Sequence, residues 1–224
     1  YRDLLRERQW RRNLAIGALI SSAGAIGLWA IVEYAIDIQS KVFRIHFESL
    51  GMPEAEIQPA VNQAKSYAYT LQMIGAAVGM WFMTKACISL GRKPAFAIWY
   101  AGSLAATLYV FRYMNTPNDA YWMMPLMWFF SLGVFAGFAI YLPELFPSRM
   151  RSTGTSFCYN LGRFAAAGGS FFSAALAGQV FGKYYGFESP LRERYAAMAM
   201  CVVFLIALAT LPFAPETKGK PLPE

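Results

Sequence analysis

Six apolar runs dominate the chain, at residues 14–36, 64–87, 95–113, 121–142, 153–180 and 196–213. Charged residues collect between them, at 2–12, 37–65, 85–93, 144–151, 183–194 and 216–224. At about 1.5 Å rise per residue, roughly 20 residues cross a hydrocarbon core of about 30 Å. Apolar runs of that length, bounded by charge, predict membrane-spanning helices. A soluble helical bundle would place charges inside such runs, and these runs hold almost none. The pattern therefore predicts an all-α membrane protein: a basic lead-in at 1–13, a six-helix transmembrane domain at 14–213 and a polar tail at 214–224.

Each run has its own character. The first carries Gly17, Ser21 and Gly24 at helical spacing, a small-residue face that lets helices approach closely in lipid. Residues 38–62 read as the longest polar connection, broken at Gly51-Met52-Pro53 and fitting a short interfacial helix afterwards. The second run holds Gln72 and the GxxxG pair Gly75 and Gly79, which indicates close packing. Gly91-Arg92-Lys93-Pro94 is a tight basic turn, and the prolines and asparagines at 115–119 make another. The fifth run is rich in glycine, alanine and serine and is expected inside a bundle. The sixth is the most uniformly apolar and is expected to face lipid most.

Composition agrees with the pattern. Apolar residues make up 57% of the chain and charged residues 15%, against roughly 45–50% and about 25% in soluble domains. The formal charge of +7 fits cytoplasmic loops and anionic headgroups better than nucleic acid. Six spans put both ends on one side. That side holds Arg2, Arg6, Arg8, Arg11, Arg12, Arg92, Lys93, Arg149, Arg151, Lys218 and Lys220, and its basic residues are densest in the short loops. The positive-inside rule therefore places both ends in the cytoplasm of a multi-pass protein of the inner (plasma) membrane. Cys87, Cys158 and Cys201 sit in or beside apolar runs and read as small buried hydrophobes. The one histidine, His46, reads as an exposed side chain in a polar connection. No spacing suggests a metal or a nucleotide loop, so no cofactor and no enzyme activity is expected.

The residues that carry chemistry are few. Arg163 lies ten residues into the fifth run, about 15 Å deep at helical rise. An arginine there is costly unless it is paired or faces water. Its fork suits a carboxylate or phosphate, but a structural role on helix carbonyls or a neighbouring acid is the reading that carries more weight. Asn160 lies three residues earlier and shares its face. Glu33 lies inside the first run and Asp37 one turn further out. Glu33 suits a protonatable coupling carboxylate or an outer-rim charge; Asp37 reads as a rim charge beside Lys41. Gln72, Trp29, Tyr34, Tyr69 and Trp128 are further cavity candidates.

Three short motifs carry a family resemblance. Glu144–Gly154, ELFPSRMRSTG, resembles the E-x-F-P-x-x-x-R-x-x-G signature of the major facilitator superfamily, in the loop between its tenth and eleventh helices. Pro215–Gly219, PETKG, resembles the motif after the twelfth helix in the sugar-porter and metabolite-symporter branches. Gly91–Lys93, GRK, resembles the loop between the eighth and ninth helices, although Ile88 and Ser89 replace the Asp and Arg usual there. The motifs occur in family order. The resemblance implies the C-terminal six-helix half of a twelve-helix bundle, partnered by an N-terminal six-helix half. It implies proton-coupled transport of a small polar metabolite, such as an organic acid or sugar, by alternating access. Glu144, Arg151 and Arg92 match positions that gate the cytoplasmic mouth, although simple loop topology also accounts for them. A non-transporting receptor or scaffold with the same fold is the other reading.

Overall fold

A computed structural model describes residues 6–186, 189–221 and 223. Arg2 of the basic lead-in and Glu188 of the fifth connection lie outside the described residues. Among the described residues, six helices are long and apolar enough to cross a membrane: α1 Arg8–Ser49, α2 Glu54–Ser89, α3 Arg92–Tyr113, α4 Pro117–Glu144, α5 Arg151–Tyr185 and α6 Leu191–Phe213. No strand occurs among them. Helices α1 and α5 each contain one wider π turn, at Gly27–Ile31 and Leu176–Phe181.

Local sequence explains where the helices begin. Thr116 Oγ1 accepts from Asp119 N at 3.2 Å, and Asp119 Oδ2 accepts from Thr116 N at 2.9 Å. This reciprocal box, followed by Pro117 in the first turn, fixes the start of α4. Gly91, at φ +108°, makes the sharp entry into α3 that a side chain would resist.

The polar connection expected at 38–62 is not a loop. Helix α1 runs on to Ser49, α2 begins at Glu54, and only four residues join them. The expected interfacial helix is the opening of α2, and the lead-in is helical from Arg8 as part of α1. The reason is amphipathicity. Ile38, Gln39, Val42 and Phe43 on α1, and Ile57, Val61 and Ala64 on α2, are buried at helical spacing. The opposite faces carry the charges, with Arg44 bonded to Glu48 and Glu54. Average polarity concealed a one-sided apolar stripe. His46 accordingly sits half-buried on the last turn of α1 rather than in a loop.

Helix α1 is the most buried of the six, and the pairings α2–α4 and α1–α5 are the most extensive. The GxxxG pair of α2 is spent within the chain. A Cβ at Gly75 would lie 2.5 Å from the Pro125 carbonyl oxygen, and one at Gly79 would overlap that of Phe129. The backbones of α2 and α4 therefore touch. Between α1, α3 and α4, Phe96 stacks on Tyr100 and Phe138, and the Tyr100 hydroxyl donates to the Ile20 carbonyl at 2.5 Å. The three cysteines are buried and unpaired, as expected.

Two exposure expectations fail. Helix α5 is the least buried of the six, and α6 is more buried than either α5 or α2. Only some of the small residues of α5 pack inward: Gly162 packs on the backbone of Ser21, and Ala166 and Gly169 are buried, while Gly168, Ala174 and Ala175 are exposed. The helix also leaves Phe164, Phe171 and Phe172 at 77%, 81% and 59% exposure. Small residues determine how closely one neighbour approaches, and they do not ensure that a helix is surrounded.

Candidate functional site

At the end of the molecule where α1, α3 and α5 begin and α2, α4 and α6 finish, the charged residues form one network. Arg92, in the first turn of α3, grips Glu144, the last residue of α4. Its Nε donates to Oε2 at 2.9 Å and its Nη2 donates to Oε1, and both side chains are mostly buried. The Thr217 hydroxyl donates to the same Glu144 Oε2 at 2.6 Å. The carboxylate of Glu216 accepts from the backbone N–H groups of Arg92, Lys93, Thr217 and Lys218, each at 3.0 Å. Two of those donors are the free N–H groups at the start of α3, where Gly91 supplies no side-chain cap. The tail thus caps α3 from outside the helix, with negative charge at the positive end of its dipole. Burial pushes the Glu216 pKa up, but the backbone donors outweigh it and hold the carboxyl below the usual glutamate range.

Further bonds tie the tail down. The Tyr141 hydroxyl donates to the Pro215 carbonyl at 2.8 Å, Lys93 Nζ to Pro212 at 3.1 Å and Arg12 to Phe213 at 2.9 Å. Arg151 is not part of the Glu144 pair. Its Nε donates to the Pro143 carbonyl at 3.1 Å and its Nη2 to Ser148 Oγ at 3.3 Å, so it closes the α4–α5 turn. Of the expected gate residues, the structure joins Arg92 to Glu144 and leaves Arg151 to a separate task.

The candidates at membrane depth are placed differently. Arg163 and Asn160 are both exposed on α5. Asn160 Nδ2 donates to the Ser156 carbonyl one turn back, at 2.9 Å. Arg163 has no ion-pair partner among the described residues. Its neighbour Gly162 packs on Ser21, which sets its level along α1. Glu33 is also exposed, twelve residues further along α1, about 18 Å away at helical rise. Arg163 and Glu33 are therefore not brought together. Glu33 lies two residues beyond the π turn that ends at Ile31. Asp37 is exposed, and Lys41 pairs with Glu193 of α6 instead of with it.

Gln72 is buried, and its Nε2 donates to Gln39 Oε1 on α1 at 3.1 Å. The two amides border an open cavity of about 580 Å³ that is also lined by Ile36, Asn62, Lys65 and Tyr69. Tyr69 meets Trp128 edge-on; Trp29 is exposed and Tyr34 half-buried.

A family model described as "Sugar (and other) transporter" matches residues 47–224. The chain belongs to that family. It is similar to a putative metabolite transport protein of Haemophilus influenzae, 27% identical over 167 residues, covering 74% of this chain and 38% of that one. It is also similar to low affinity inorganic phosphate transporter 3 of Petunia hybrida, 28% identical over 220 residues, covering 90% of this chain and 40% of that one. The chain thus spans about two fifths of the length of these relatives. In this transporter-family chain the three motifs that carried the resemblance meet in space. GRK contributes Arg92, ELFPSRMRSTG contributes Glu144 and PETKG contributes Glu216 and Thr217 to one cluster. Sequence reasoning gave Glu216 and Thr217 no role. The signal available for them was the place of PETKG in the family order, since nothing local marks a glutamate as the cap of a helix 124 residues away. Gln39 and Glu193 went unnoticed because their partners lie on other helices.

Proposed function

We propose that this chain is the C-terminal six-helix half of a proton-coupled transporter that moves a small polar metabolite, an organic acid or a sugar, by alternating access. The observation that carries the reading is Arg163. A guanidinium at membrane depth, exposed and without an ion-pair partner among the described residues, is expensive against lipid. A water-filled path between two halves satisfies it. An N-terminal half facing α5 and α2 would also cover the aromatic side chains these helices leave open. The Arg92–Glu144–Glu216 network then serves as the inner-end latch of this half, at the cytoplasmic mouth, and Glu33 as the carboxylate that takes up and releases the coupling proton. The family membership and the multi-pass architecture support the reading at the level of membrane transport. The substrate class and the coupling rest on the residues named.

The test is uptake by the full-length protein in proteoliposomes under an imposed pH gradient. Arg163→Gln is expected to lower uptake at least tenfold, while stability changes by no more than about 0.5 kcal/mol, as is usual for an exposed position. Unchanged uptake and affinity would sink the role assigned to Arg163. Uptake that survives a protonophore would sink the proton coupling.

A further inference from the structure

The cavity between the far half of α1 and the first half of α2 holds an unsatisfied donor. Gln39 and Gln72 are 2% and 1% exposed. Their one mutual bond engages Gln72 Nε2 and Gln39 Oε1. Gln39 Nε2 is buried and has no hydrogen-bond partner among the described residues. A buried amide N–H without an acceptor is costly, and Gln39 lines a cavity with room for a small metabolite. Its orientation is fixed, because Gln72 holds the amide oxygen.

The rest of the lining says what acceptor fits. Lys65 lies two helical turns from Gln72 on α2, is partly buried and has no carboxylate within ion-pair distance among the described residues. None of the eight lining residues is acidic. Ser66 and Thr70 commit their hydroxyl protons to the carbonyls of Asn62 and Ser66, at 2.9 and 3.0 Å. Their oxygens therefore reach the cavity as acceptors. The site offers one fixed amide donor, one cation and two hydroxyl acceptors, with Ile36 as an apolar wall.

We propose that Gln39 and Lys65 form an oxyanion subsite for a small solute that bears both a negatively charged oxygen and hydroxyl groups, a hydroxycarboxylate or a protonated phosphate. Gln72 is its positioning residue: its Nε2 donates to Gln39 Oε1 and holds that amide in place. The proposal deepens the transport reading and rests on it for the purpose of the site, which is to collect substrate at the end of the molecule opposite the latch. A neutral sugar leaves the Lys65 charge without a complement and binds less well.

The experiment uses the full-length protein in nanodiscs, titrated by calorimetry with inorganic phosphate, L-lactate and D-glucose. At least one of the two anions is expected to bind more tightly than glucose. Gln39→Glu keeps the side-chain volume, removes the free donor and adds a repelling charge; it should weaken that anion at least tenfold. Lys65→Gln, at a partly exposed position where folding is not in question, should do the same. The two anion arms separate the carboxylate from the phosphate source. Tighter binding of glucose than of either anion, or anion affinities that both variants leave unchanged, overturns the subsite. Parallel uptake by the same variants separates the two claims. Anion binding that depends on Gln39 and Lys65 without uptake keeps the subsite and removes transport. Uptake with the same KM in both variants keeps transport and removes the subsite.

Discussion

The latch proposed for Arg92, Glu144 and Glu216 and the exposed surface at membrane depth treat charge in opposite ways. In the latch, Arg92, Glu144 and Glu216 are partly buried and every one of them is bonded within the chain. At depth, Glu33 and Arg163 are exposed and have no ion-pair partner among the described residues. The first arrangement is complete in itself: removing a member leaves a desolvated group without its partner, and the fold loses stability. The second gains nothing for this fold, so its residues can be exchanged at little structural cost. A charge that a fold does not use, placed where lipid would penalise it, is better explained by function than by stability. The difference separates residues that hold this fold together from residues that it leaves without a partner.

Paired substitutions can break this contrast. The largest structural effect is expected from Glu144→Gln, which removes the charge and leaves one amide oxygen where Arg92 and Thr217 now use two carboxylate oxygens. Loss of a hydrogen-bonded charge pair of this kind costs about 1.5–3 kcal/mol, read as a lower Tm of the full-length protein in detergent. Glu33→Gln should leave Tm almost unchanged and reduce pH-driven uptake. If Glu33→Gln unfolds the protein as readily as Glu144→Gln does, the division between latch and depth is wrong.

A smaller effect is expected at Glu216. Replacing it with Gln removes charge from a helix N-terminus and weakens the cap, which costs about 1 kcal/mol. Its pH dependence has a definite sign. The carboxyl titrates lower in the folded protein than in the unfolded chain. Its contribution is therefore fully present above the ordinary glutamate range and is lost as pH falls through the lowered folded value. The stability difference between wild type and Glu216→Gln should be constant near neutrality and shrink in acid. A difference that grows on acidification would refute the capping role.

The smallest effect belongs to the opposite end of the molecule. Lys41 bonds Glu193, but the lysine side chain is 47% exposed. Lys41→Gln should cost under about 1 kcal/mol and less still at high salt. A Tm loss as large as that of Glu144→Gln would mean that this end is held as firmly as the Arg92–Glu144 end.

Much of this architecture was legible from the chain alone. The number of membrane-spanning helices follows from apolar runs that each come close to or exceed the hydrocarbon thickness, a local property that needs no neighbours. The turns at Gly91 and Thr116 also follow from residue type, through backbone conformation and capping. What misled was averaging. Residues 38–62 are polar on average yet form two helix ends, because their few apolar residues fall on one face. The small residues of α5 suggested a surrounded helix, but Gly162 and Gly169 meet α1 while Gly168, Ala174 and Ala175 stay exposed.

The site was less legible, and the reason is distance along the chain. Arg92 and Glu144 are 52 residues apart, Gln72 and Gln39 33, and Glu216 and the start of α3 124. Ordered motifs placed the first pair in two loops on the same side of the membrane, but they could not tell Arg151, which turns back to its own α4–α5 connection, from Arg92, which crosses to Glu144. By itself the sequence determined the spans, their order and the cost of burying Arg163, because these depend on hydrophobicity and helical rise. Only the tertiary structure decided which amide of a buried glutamine pair is left unsatisfied and which helix the tail carboxylate caps. Those outcomes depend on which faces the packing of α1, α2, α3 and α4 brings within hydrogen-bond reach.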